Sequence, residues 1–209
     1  MNEGDRPLAK LALRPPRAPH VAAHSRPILY ARLCFRLALQ RERSALDLLG
    51  LKDIQSQERA LGVATSTRTY AGRFDSPGFP VFYAAEEAET CEAEVAHHLR
   101  VHYLRHKPLR PQTFTYRLLE VPLSGRFEDL REPSLAGLQT PTRHAYPAGR
   151  SYAYAAFQAG MDGLIYASSR RKGGTCIARF LAGGLRLPVQ EVGTRSFHWN
   201  GKRLARSTF

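Results

Sequence analysis

Apolar and polar positions fall into short blocks along most of the 209 residues, and each block predicts an element. Residues 29–36 are short and largely apolar, as a strand requires. Leu37, Leu39, Leu46, Leu49, Ile54 and Leu61 then recur among charges and predict one or two helices over 37–61, broken near Gly50 and capped by Ser44 or Asp53. The turn signal Ser76-Pro77-Gly78 introduces a strand over 80–85. From Glu87 to about Arg105 no Gly or Pro interrupts the chain. There Ala88, Cys91, Val95, Leu99 and His102 or Tyr103 return at helical spacing.

Residues 112–121 are rich in β-formers and predict a strand, whereas the Pro and Gly residues over 124–149 predict irregular structure. Residues 150–159 read as a helix that stops at Gly160. Two strands, 163–168 and 175–180, flank the basic turn Ser169-Arg170-Arg171-Lys172-Gly173-Gly174. Near the C-terminus Asn200-Gly201 suits a type I′ hairpin. There is no internal repeat. Short strands and helices that do not strictly alternate define an α+β fold of short mixed strands flanked by helices.

Composition changes this picture in three places. Hydrophobic residues make up 43% of the chain, enough for the core of a single domain, here placed at 28–209. Residues 1–27 carry five prolines and several arginines without an apolar stretch, which predicts a basic, flexible arm and no signal peptide. No apolar run approaches the roughly 18 residues of a membrane span. Cys34, Cys91 and Cys176 are odd in number and show no zinc spacing. They read as small buried hydrophobes of a protein in the reducing cytoplasm.

A net charge of +13 implies an anionic partner: nucleic acid, an anionic ligand or an acidic protein. The basic residues are dispersed and no zinc finger or RNP-type aromatic sequence accompanies them. A non-catalytic nucleic-acid-binding module, with Arg14, Arg17, Arg41 and Arg43 on phosphates, is therefore the less favoured class.

The stretch 68–94 concentrates residues of a different kind. Arg68, Tyr70, Arg73, Tyr83 and Glu94 lie within it, and Ser168 and Arg170 follow downstream. Cleaving the glycosidic bond of NAD needs just such types. The nicotinamide leaves as a neutral ring, and the ribosyl C1′ becomes oxocarbenium-like, a charge that a carboxylate stabilises. Arginine forks match a pyrophosphate, an aromatic ring packs on nicotinamide, and a serine hydroxyl hydrogen-bonds the substrate. No metal is required. Each residue has an ordinary structural reading as well: a helix-surface Glu94, an Arg73 paired with Asp75, a core Tyr83, and a turn begun by Ser168 and Arg170.

The order of the blocks resembles the RES-domain family, toxins of bacterial toxin–antitoxin pairs. The blocks are Arg68; Gly72-Arg73-Phe74; Phe82-Tyr83-Ala84-Ala85; Thr90-Cys91-Glu92-Ala93-Glu94; and Gly163-Leu164-Ile165-Tyr166-Ala167-Ser168-Ser169-Arg170, followed by a strand ending at Phe180. Phe197-His198-Trp199-Asn200-Gly201 is similar to family tails. The resemblance covers residues 28–205 and implies an ADP-ribosyltransferase-like domain that acts on NAD as substrate, without a cofactor. The implied reaction is hydrolysis or phosphorolysis of NAD, or transfer of ADP-ribose to a protein. It implies catalytic Glu94, Arg73 and Ser168, with Arg68, Tyr83, Tyr70 and Arg170 binding substrate. It also implies an Xre-type antitoxin over the active site, with DNA reached only through that partner.

A second constellation competes on the same helix. Glu94, His98, His102 and His106 stand at successive i+4 positions with His97 beside them. Histidines so spaced can bind zinc or nickel. The stripe slants around the helix, and no cysteine or second carboxylate joins it at metal spacing. Solvated, titrating histidines are the expectation, with His98 on the rim if Glu94 faces a pocket.

Overall fold

The computed structural model describes residues 28–39, 71–106, 111–181 and 190–207. Strands β1 (Ile28–Leu39), β2 (Val81–Ala85), β3 (Gln112–Asp129), β4 (Gly163–Ala167), β5 (Thr175–Phe180), β6 (Gln190–Trp199) and β7 (Leu204–Ser207) join in one mixed sheet. Helix α1 (Ala88–His106) follows β2, and α2 (Tyr146–Gln158) precedes β4 after two 3-10 turns, Pro133–Gln139 and Arg143–Ala145. The strand order is β1-β2-β5-β4-β3-β6-β7, and β1 also pairs with β3 from Ile28↔Phe127 to Leu39↔Tyr116. Five strands thereby close into a ring, with a single rung, Phe35↔Ala85, joining β1 to β2. Only β4 and β3 run parallel; β6 and β7 continue the sheet from the first half of β3.

Alternation along the strands sorts their side chains between two packing layers. Cys34, Phe82, Ala84, Leu119, Val121, Leu123, Phe127, Ile165 and Ile177 form a cluster drawn from all five ring strands. The other faces of β2, β4 and β5 present Val81, Leu164, Tyr166, Cys176, Ala178 and Phe180 to Tyr152, Ala153 and Ala156 of α2. Helix α1 packs Cys91, Val95 and Leu99 on Ala85, Leu118 and Phe197. Each fully buried Phe, Leu or Ile contributes about 1.5–3 kcal/mol of transfer free energy, so the ring interior carries much of the fold.

Three polar links tie the layers together. Tyr152 donates a hydrogen bond to Oε1 of Glu128, at 3.1 Å, and Glu128 is only 2% exposed. Burial, opposed by that hydrogen bond, pushes the Glu128 carboxyl above its ordinary pKa. Glu92 on α1 meets Arg195 of β6 and, at 2.9 Å, Arg206 of β7. Arg179 of β5 pairs with Asp162 at 3.2 Å.

The expected strands and helices are present where the structure describes them, with displaced limits. β1 runs on to Leu39, into the span expected to be helical, and residues 40–61 lie outside the described residues, as do 1–27. β3 continues to Asp129, through Pro122 and Gly125, because β1 and β4 hold it at that end. Gly125 is no breaker there: a Cβ would stand 2.3 Å from Oδ2 of Asp162 and 2.7 Å from Nη1 of Arg179. α2 begins at Tyr146 rather than Arg150, since Pro147 suits a first helical turn. The last hairpin turns one residue later than expected. Trp199 pairs with Leu204, so Gly201 (φ 95°) and Lys202 form the corner. Asn200 Oδ1 accepts the N–H groups of Lys202 and Arg203. Among the described residues no helix is long and apolar enough to cross a membrane.

Candidate active site

Glu94 lies in the second turn of α1, on the side facing the end of β4. Ser168, just past β4, donates its hydroxyl hydrogen to Oε1 of Glu94 at 2.7 Å. Ser168 Oγ in turn accepts the backbone N–H groups of Arg170 and Arg171, both at 3.1 Å. One donor and two acceptor positions exhaust a hydroxyl. Ser168 is therefore fully engaged in holding Glu94 and shaping its own turn. Any substrate contact through Ser168 replaces the bond to Glu94.

That turn is clamped onto the start of α1. It closes through Ser168 N–H to the Gly174 carbonyl at 2.8 Å, with Gly173 at φ 76°. Arg171 donates to Thr90 Oγ1 at 3.3 Å and stands 3.6 Å from Oε2 of Glu87. That carboxylate oxygen also accepts the Thr90 hydroxyl and the Thr175 N–H. Gly174 permits the approach, because a Cβ would stand 2.4 Å from Thr90 Oγ1. An acidic residue at the start of a helix is itself favourable. The same network thus fixes the helix start and the turn beside Glu94.

On the other side of the site stands the loop 71–75. The Tyr83 hydroxyl donates to Oδ1 of Asp75 at 2.7 Å and accepts the Phe74 N–H at 3.2 Å. Asp75, 5% exposed, thus pairs with Tyr83 and not with Arg73. The Arg73 guanidinium lies within 5.6–5.9 Å of three ring centroids, those of Phe74, Tyr146 and Tyr166. Arg150 of α2 donates to the Gly72 carbonyl at 3.1 Å.

Tyr166 sits between the two sides. Burial pushes its hydroxyl well above the ordinary pKa, Cys176, Tyr83 and Glu94 add to the shift, and Arg73 opposes it. Those four groups therefore lie within electrostatic reach of one hydroxyl, and the Arg73 guanidinium stands 5.6 Å from its ring. The Cys176 thiol lies 3.7 Å from Oε1 of Glu94, and burial first, then that carboxylate, raises its pKa. It is held as a neutral thiol. His97, one turn beyond Glu94, has its pKa lowered by burial and then by Arg170, with Glu94 opposing. His98 and His102 are exposed, so His97 is the histidine next to the site. Among the described residues no group of three His, Cys, Asp or Glu could hold a metal ion.

The electrostatics of the arginines is selective. Buried Nε atoms without a hydrogen-bond partner occur in Arg73, Arg117, Arg170 and Arg179. Arg117 and Arg179 form ion pairs, with Glu191 and Asp162. Arg73 and Arg170 have no carboxylate partner among the described residues. Two uncompensated guanidinium groups flank a carboxylate held by a serine, an arrangement suited to a dianionic ligand with a cationic centre.

Of the residues singled out in the sequence, the structure brings Arg73, Tyr83, Glu94, Ser168 and Arg170 to one place. Arg68 and Tyr70 lie outside the described residues. Asp75, Tyr146, Tyr166, Cys176 and His97 were not assigned to the site. Tyr166 had a signal, its place inside the Gly163–Arg170 block; Tyr146 had none, because it arrives from a stretch read as irregular.

A family model described as the RES domain matches residues 51–200, a span that holds every residue of this site. The chain belongs to the RES domain family. Its fold is similar to a chain in the crystal structure of the M. tuberculosis MbcT–MbcA toxin–antitoxin complex, with a TM-score of 0.50 and 17% identity over 84% of this chain and 87% of that one. No curated protein matches the chain.

Proposed function

We propose that the protein is a toxin of a toxin–antitoxin pair that consumes NAD by breaking the nicotinamide–ribose bond. The observation that carries this reading is the Ser168–Glu94 hydrogen bond set beside two arginines that have no carboxylate partner among the described residues. Arg73 and Arg170 take the pyrophosphate as bidentate donors. Nicotinamide departs with the glycosidic electron pair and becomes neutral. The positive charge left on the ribosyl C1′ is met by the Glu94 carboxylate, which Ser168 keeps oriented. Water or phosphate then bonds to C1′; water gives up a proton to solvent as the product forms. His97, held toward its neutral form, stands near enough to Glu94 and Arg170 to sense the bound anion.

Membership of the RES family and the likeness to a chain of a toxin–antitoxin complex support a protein partner. The partner proposed is an Xre-type antitoxin covering the site in the cytoplasm. The charge of +13 favours an acidic cover.

The test is incubation of the partner-free full chain with NAD, with and without phosphate, and identification of products by mass. Free nicotinamide with ADP-ribose or its phosphorylated form is expected. NAD left intact under both conditions overturns the reading. Label transferred from NAD to a protein band instead identifies an ADP-ribosyltransferase. Operator binding without turnover identifies a nucleic-acid-binding module.

A further inference from the structure

Tyr146 has no part in the chemistry above, yet it is one of three rings around Arg73. The other two belong to the core: Phe74 and Tyr166 pack in the cluster under α2 and would be buried whatever Arg73 did. Tyr146 is in no core cluster and is half-buried. Among the described residues, the one contact its side chain makes is that of its ring with the Arg73 guanidinium, at 5.8 Å.

Two further contacts come from the same helical turns. Gly149 lies so close to the Arg73 loop that a Cβ would stand 2.7 Å from the Arg73 carbonyl and 3.3 Å from its Cγ. Arg150 donates to the Gly72 carbonyl at 3.1 Å. One ring, one missing Cβ and one hydrogen bond from α2 thus meet Arg73 and the residue before it. Among the described residues Arg73 has no carboxylate to hold it, and ring faces and backbone contacts set its orientation.

We infer that Tyr146 is a positioning residue: the first turn of α2 aims the Arg73 guanidinium at the ligand's phosphates. The proposal rests on the NAD reading for the identity of the ligand, but not for the geometry. A quadrupole contact uses none of the N–H donors of the guanidinium, which a carboxylate partner would. The ring, not the hydroxyl, is what Tyr146 supplies.

The full-length chain is compared as wild type, Tyr146→Leu and Tyr146→Phe by two readouts. One is the Arg73 Nε–Hε cross-peak in NMR spectra, assigned by its loss in Arg73→Lys. The other is steady-state kinetics with NAD. Loss of the ring in Tyr146→Leu moves the cross-peak and raises KM for NAD about tenfold, the scale of a cation–π contact in a desolvated site. kcat stays within about twofold, because the loss falls on binding rather than on the reacting centre. Tyr146→Phe keeps the ring face and recovers both readouts. Should Tyr146→Leu fail to fold, Gly149→Ala serves, since its Cβ displaces the Arg73 backbone and is expected to move the same cross-peak. An unmoved cross-peak with unchanged KM, or a phenylalanine variant as impaired as the leucine one, overturns the proposal. If the cross-peak moves but wild type leaves NAD intact, the positioning stands and the NAD reading alone falls.

Discussion

Glu92 and Glu94 stand two residues apart on α1 and face opposite sides of it. Glu92, 6% exposed, is neutralised by Arg195 and Arg206 and pins the helix to the last two strands. Glu94 receives a serine hydroxyl and a thiol and, among the described residues, no cation. The arginines divide in the same way: Arg195 and Arg206 are paired, while among the described residues Arg73 and Arg170 are not. A charge that serves the fold is matched inside the chain, because an unmatched buried charge is costly. A charge kept unmatched where matching partners were within reach of evolution points to something that arrives from outside.

The comparison breaks most sharply at Glu94. Glu94→Gln should lower NAD consumption on the order of a thousandfold, the scale of losing a transition-state electrostatic contact, while leaving the unfolding midpoint almost unmoved. Product mass spectrometry and thermal melting measure the two. Retained turnover in a folded variant would end the case for Glu94. Next in size, Arg73→Gln or Arg170→Gln should raise KM for NAD by about ten- to a hundredfold, as the loss of a charge-assisted phosphate contact does. The pair Arg195→Gln and Arg206→Gln should leave KM in place.

Glu92→Gln reverses the pattern. It should cost about 2 kcal/mol of unfolding free energy in urea titrations, less than a fully buried ion pair because Arg206 is half exposed. Activity at a temperature where the variant is folded should persist. A loss of activity without a loss of stability would erase the distinction between the two faces of α1.

Glu128 sharpens the comparison in the gentlest way. Burial raises its pKa in the folded state, so the folded protein holds this proton more tightly than the unfolded chain. Its contribution is intact below the ordinary value of 4.5 and is lost as pH rises through the raised folded pKa. Glu128→Gln keeps an acceptor for Tyr152 and removes the titration. Urea unfolding at a series of pH values should show a smaller decline above pH 4.5 for the variant than for wild type. Equal slopes would mean that Glu128 ionises without penalty.

Much of this was legible in the chain. The helix that carries Glu94 has an uninterrupted apolar period, and β4, β5 and the basic turn between them follow from apolar runs bounded by glycine. What local pattern does not contain is pairing. β3 passes Pro122 and Gly125 because it is bound there to β1, a partner more than eighty residues earlier in the chain at every rung from Leu33↔Pro122 to Ile28↔Phe127. Tyr83 offered an aromatic ring to the sequence reader, but its hydroxyl turns out to organise the loop through Asp75. Tyr146 and Cys176 join the site only through tertiary packing, which no spacing rule reports.

The position of β5 sets when the site comes into being. β5 lies between β2 and β4, so the ring stays open until residues 175–180 are in place. Glu94 and Ser168 meet across 74 positions of sequence, and such distant contacts form late because the loop between them must first be closed. A chain that ends short of Thr175 contains both residues but lacks the strand that joins β2 to β4. Assembly of the site is thus expected among the last events of folding, once the strand that completes the ring has docked.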